Sequence, residues 1–158
     1  MKFIFSLITA FVLFFQSDLE SLRESYAKAN ASNANTESFI NMAERASGSE
    51  PVIQGYKAAA QIMEAKITKS NRKALVKSGA TSLEAVIKSN PNNAELRVIR
   101  MSVQENIPKI VGYRGSLKDD KTFLLDHYSK QNAALKNYIK RFAAQSKTFT
   151  PAEKATLK

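Results

Sequence analysis

Residues 70–106 read SNRKALVKSGATSLEAVIKSNPNNAELRVIRMSVQEN, and this stretch decides the fold class. Leu75, Gly79, Leu83 and Val86 recur at three- and four-residue spacings, the period of one helical face. Asn90-Pro91 stops that helix, because proline lacks an N–H and pushes the preceding residue away from helical backbone angles. Asn93 then suits the cap of a second helix running to Asn106 before Pro108. On it Leu96, Ile99 and Val103 mark one apolar face, and Val98 with Met101 another. A helix so apolar is predicted buried on most sides. Arg97, Arg100 and Gln104 share the strip between the two faces.

The same period recurs on both sides of this stretch, and few segments alternate with period two. Leu19, Leu22, Tyr26 and Ala29 form one stripe. Thr36 or Asn35 is predicted to cap a second helix with Phe39, Met42, Ala43 and Ala46, ended by Gly48. A third opens at Ser49-Glu50-Pro51, where proline's missing N–H costs nothing, and carries Val52, Tyr56, Ala59, Met63 and Ile67. Residues 108–115, with Gly112 and Gly115, read as a turn. Ser116 to Asp119 looks like a capping box for one long final helix through Leu117, Leu124, Tyr128, Leu135, Tyr138 and Phe142. Thr150-Pro151-Ala152-Glu153 is predicted to start another helix, in a tail expected to fray. The expectation is an all-α fold, a bundle of about six antiparallel helices joined by short links.

The N-terminus reads as an address. After Met1-Lys2, Phe3 to Phe15 is apolar except for Ser6 and Thr9. Its 13 residues suit a secretory leader and fall short of the ~20 needed to span a bilayer. Residues 1–17 are therefore expected to be a signal peptide and 18–158 a single exported domain, periplasmic or secreted. With no cysteine in the chain, neither a disulfide framework nor a lipidated cysteine anchor is available, and stability must rest on packing.

The formal charge of +10 is unevenly placed. Residues 18–65 hold four basic and seven acidic side chains, residues 66–158 nineteen and seven. Outside the cytoplasm the expected counterparts are anionic lipid headgroups, anionic glycans or an acidic protein surface, rather than nucleic acid. Lys69, Lys73 and Lys77 recur every fourth residue, with Lys66 just before, as a basic stripe suited to such surfaces or as a solvated face.

Catalytic patterns are missing. One histidine and no cysteine leave no metal-ligand spacing, and no cofactor is expected. No serine sits in a glycine-flanked elbow. His127 has Asp126 and Tyr128 as chain neighbours, but adjacent positions on a helix point about 100° apart. A carboxylate pair such as Glu64 and Glu84 keeps a hydrolase as a third reading. The leading expectation is a non-catalytic interaction module for a peptide, glycan or partner protein. A peripheral membrane-surface protein using its basic face is the alternative. The ligand site expected for the module is Arg97, Arg100 and Gln104, with Tyr113 as an aromatic wall, since guanidinium forks suit carboxylates and phosphates. The competing reading pairs both arginines with acids of a neighbouring helix.

Two resemblances accompany these readings. Gly79, Leu83, Val86 and Pro91 stand at the offsets of the second half of a tetratricopeptide repeat, and Asn92-Asn93-Ala94-Glu95 resembles the link to a next repeat. Lys66-Ile67 and Ser70 depart from the first half, so the likeness implies one helical hairpin, not an array. The leader, Asp18-Leu19-Glu20, residues 96–106 with Pro108 and Gly112-Tyr113, and Ser146 to Glu153 resemble an uncharacterised family of short exported bacterial proteins. That likeness implies an exported, all-helical chain and brings no catalytic residues.

Overall fold

The computed structural model describes residues 19–158, so the predicted leader lies outside the described residues. Within them the fold is all-α, with eight α-helices packed together and no strand. We number them α1 (19–28), α2 (Asn33–Arg45), α3 (Pro51–Ile67), α4 (Arg72–Ser89), α5 (Ala94–Asn106), α6 (Leu117–His127), α7 (Ala133–Gln145) and α8 (Pro151–Thr156).

The fifth helix divides the interior. Leu96, Ile99 and Val103 face a core built from α1 to α4, centred on the Tyr26, Phe39 and Tyr56 rings. Val98 and Met101 face a second core built with α6, α7 and the tail. Both apolar faces read from the sequence are thus used, each against a different layer. The Tyr26 hydroxyl donates to the Ile99 carbonyl at 3.1 Å, tying α1 to α5.

The α3–α4 hairpin is the most extensive pairing among helices α2 to α8. Gly79 makes it possible. A Cβ there would stand 2.6 Å from Ile62 Cγ1 and 2.7 Å from the Ala58 carbonyl oxygen. The second contact is with backbone, which cannot swing away, so any side chain at 79 would force the two helices apart.

Four local expectations are corrected. Ser32, not Asn35 or Thr36, caps α2, accepting from the Asn35 N–H; Thr36 lies inside the helix and donates its hydroxyl to the Ala29 carbonyl at 2.7 Å. Ser116 makes no side-chain cap; its N–H is taken by Gln104 Oε1 at 3.1 Å. The predicted long final helix is interrupted by a 3-10 turn, Tyr128–Lys130, after which Asn132 caps α7 by accepting from the Leu135 N–H. Asparagine offers the backbone this alternative to a continuous helix, and Tyr128 and Leu135, on either side of the break, both pack into the second core. Finally, the tail is folded down. Thr150 and Glu153 form a reciprocal capping box, Lys121 pairs with Glu153 at 2.7 Å, and Phe149 and Leu157 are buried in the second core.

Candidate functional site: an apolar groove with a cationic rim

Because α4 leans closely on α3 and touches α5 little, a gap opens between the first half of α4 and the last turns of α5. It is a groove of about 810 Å³. Ile62 and Met63 of α3, Val76 and Ala80 of α4, and Val103 and Ile107 from the end of α5 supply its apolar surface. Tyr26 of α1 and Asn30 just after it also line it, as do Ile110, Val111 and Tyr113 from the segment after α5.

The rim is cationic. Lys66, Arg72, Lys73 and Lys77 all border the groove, and among the described residues no carboxylate does. None of the ion pairs among the described residues includes one of these four. Lys66 donates to Asn30 Oδ1 at 2.7 Å, and partial burial pushes its pKa below the usual lysine value. Arg72 donates to the Thr68 carbonyl at 2.6 Å. Arg72 and Lys73 also occupy the first turn of α4, which has no acidic residue and no side-chain cap. The positive end of the helix dipole disfavours cations there, by about 0.3–1 kcal/mol each at an exposed site. These charges stand where local helix stability would place acids, a conflict typical of functional positions.

Three of the four lysines of the predicted stripe therefore border the groove, while Lys69 is exposed outside it. Arg72, off the four-residue period, was not singled out by the sequence, and neither was the apolar surface between the cations.

The predicted arginine strip has a different setting. Arg100 donates through Nε and Nη2 to the two oxygens of Asp120, at 2.7 and 2.6 Å, and through Nη1 to Glu84 at 2.5 Å. Burial opposes its charge, but Asp120 and then Glu84 outweigh burial and hold its pKa above the ordinary arginine value. Arg97 reaches Asp120 at 3.1 Å and the Pro91 carbonyl at 2.9 Å, with its guanidinium 5.0 Å from the centre of the Phe123 ring. Its Nε, buried, has no partner. The Tyr113 hydroxyl donates to the free oxygen of Glu84 at 2.6 Å, and burial raises its pKa. Gln104 is buried and accepts from Ser116. The strip is brought together as expected, and it is closed by acids from α4 and α6.

A second polar knot escaped the sequence reading. Arg23 donates twice to Glu95, at 2.8 and 2.6 Å, and the Tyr56 hydroxyl donates to the same carboxylate at 2.8 Å, with Tyr138 Oη 3.2 Å away. Arg23 and Glu95 are 72 residues apart, and no local pattern joins them. The His127 ring packs within α6: Nδ1 lies 2.9 Å from the Phe123 carbonyl, and the two rings stack at 4.0 Å. Among the described residues no three His, Asp or Glu side chains converge as a metal site, and no helix is long and apolar enough to cross a membrane. In comparison with known proteins, the chain matches no family model, no curated protein and no solved structure.

Proposed function

We propose that the protein is an exported, non-catalytic binding module that holds an anionic amphiphile in the groove between α3, α4 and α5. The acyl chain lies along the apolar surface and a carboxylate or phosphate head sits among Lys66, Arg72, Lys73 and Lys77. What carries this reading is the conjunction of an apolar floor, four cations that share no ion pair and, among the described residues, no lining carboxylate. The volume falls in the ~300–1,000 Å³ range of small-molecule sites. Ten methylenes buried there contribute about 8 kcal/mol before the cost of association is met. An anionic glycan fits less well, since its hydroxyls would lose water against an apolar floor with few partners.

The non-catalytic reading is supported by the fate of the acids. Glu84 is held by Arg100 and Tyr113, Glu95 by Arg23 and Tyr56, and Asp120 by both strip arginines. Export rests on the leader at residues 1–17 and on the resemblance to short exported bacterial proteins. The tetratricopeptide likeness of the α3–α4 hairpin is supported by the close approach at Gly79.

Displacement of a fluorescent fatty-acid probe tests the assignment. A long-chain carboxylate should displace the probe at least about tenfold more effectively than the alcohol of equal length, the ratio expected from ~1.4 kcal/mol of charge pairing. Equal displacement by the two would overturn the role of the rim, and no probe binding at all would overturn the groove.

A further inference from the structure

Ile110 and Val111 are the exposed large hydrophobic residues among those described, at 95% and 40% exposure. They sit on a 3-10 turn, Lys109–Val111, bracketed by Pro108 and by Gly112 in the left-handed region at φ 76°. A side chain could hardly follow the chain through Gly112, so the reversal there is glycine's work. The turn is held at both ends. Val111 N–H bonds to the Pro108 carbonyl and Gly112 N–H to the Lys109 carbonyl, both at 3.0 Å. Beyond it, Arg114 Nη1 grips the Ile107 carbonyl at 3.1 Å and Tyr113 is anchored on Glu84. A fixed turn thus presents two apolar side chains to water, at the mouth of a groove whose rim is cationic.

We propose that this turn is a membrane-docking tip that seats the groove mouth on an anionic bilayer. Ile110 and Val111 enter the acyl boundary, while Lys109 and the rim cations meet the phosphates. The chemistry favours a lipid leaflet over a protein partner. Two apolar residues are too few for the buried core of a protein interface, and lysine is depleted from such interfaces. Lysine and arginine clustered around a small apolar projection are what anionic headgroups and the acyl boundary together recognise. Among the described residues no carboxylate lines the groove, so none there repels an anionic surface. The proposal rests on the exposed turn and its charges, and it stands or falls separately from whether the groove holds a single amphiphile.

The chain has no tryptophan, so Ile110→Trp is a clean depth reporter. With phosphatidylglycerol-rich vesicles its emission should shift to the blue and be quenched by lipids brominated in the acyl chain. Asn137→Trp, at an exposed position on α7, should keep the emission of water. In sedimentation, I110D/V111D should bind these vesicles at least about tenfold more weakly than the parent, by losing insertion and adding charge against an anionic surface. Binding of the parent should weaken as salt shortens the Debye length from ~10 to ~3 Å. If the indole of the Ile110→Trp variant stays in water while the protein sediments with vesicles, the tip is overturned, as it is by equal binding to pure phosphatidylcholine. Probe displacement by fatty acid without vesicles reports the groove alone, so failure of one reading is distinguishable from failure of the other.

Discussion

The arginines of α5 and the lysines of α3 and α4 carry the same charge and end in opposite circumstances. Arg100 is buried, and two carboxylates answer it. Lys73 and Lys77 are exposed, and none answers them. The planar guanidinium fork explains the first case: Asp120 accepts two parallel bonds from Arg100, as Glu95 does from Arg23, geometry that a lysine cannot offer. The hydrated, flexible ammonium suits the second. Charge that the fold itself compensates is scaffold. Charge left uncompensated beside apolar surface is available to a ligand. Neither the type nor the number of cations makes this distinction; the position of the acids does.

High pH should break the scaffold side of the comparison with the largest effect. Burial raises the pKa of Tyr26, Tyr56 and Tyr138, the latter two members of the Arg23–Glu95 knot. Unfolded tyrosine titrates near 10, and in the fold these hydroxyls hold their protons to higher pH. The folded state therefore binds more protons above pH ~10, and stability falls as pH rises through that window. Each such group contributes a slope of about 1.4 kcal/mol per pH unit, so the three together give about 4. Their contribution is intact below pH ~10. Urea unfolding at a series of pH values measures this, and a midpoint flat between pH ~9 and ~11 would show that the knot is not closed in solution. Amphiphile binding should weaken earlier in the same series, because burial already lowers the pKa of Lys66 at the rim.

Next in size is the arginine strip. Arg97→Ala with Arg100→Ala strands Asp120, which is fully buried, and should cost ~3–5 kcal/mol. Thermal melting decides the matter. A double variant that melts like the parent would mean the strip opens on solvent, and the comparison with the lysines would collapse.

Sequence periodicity located the strip but could not say whether it was open. Leu96, Ile99 and Val103 against Val98 and Met101 placed Arg97, Arg100 and Gln104 correctly between two apolar faces, because helical spacing is a local property. The acids that close the strip, Glu84 and Asp120, stand 16 and 20 residues from Arg100, and only the tertiary fold brings them there. The break between α6 and α7 was hidden for a related reason: the apolar spacing in the sequence runs on from Tyr128 to Leu135 across it, and Asn132 alone marks the cap. For the groove, the lysine spacing was legible and the cavity was not. Its opening depends on how α4 diverges from α5, which follows from the tight contact at Gly79 with α3. Residues 108–115 were legible as a turn, but not Ile110 as its exposed tip, since exposure belongs to the packed molecule.

The smallest expected change in stability is the sharpest test of the comparison. Lys73 lies in the first turn of α4, where the dipole favours acids, and four residues before Lys77. Lys73→Glu removes a cation from the positive helix end and creates a Glu-to-Lys pair in the favourable i, i+4 order. Together these should raise stability by about 0.5–1 kcal/mol, less at high salt, because the site is exposed. The same change replaces an attractive rim charge with a repulsive one, so amphiphile affinity should fall about tenfold or more, equivalent to ~1.4 kcal/mol. A substitution that tightens the fold and loosens binding separates the two kinds of cation in one molecule. Titration of the fluorescent fatty acid, beside a urea melt of the same sample, reads both effects. Unchanged affinity would place Lys73 on an idle solvated face. A destabilised variant would mean that the lysine has a partner within the fold, and that the rim belongs with the arginines after all.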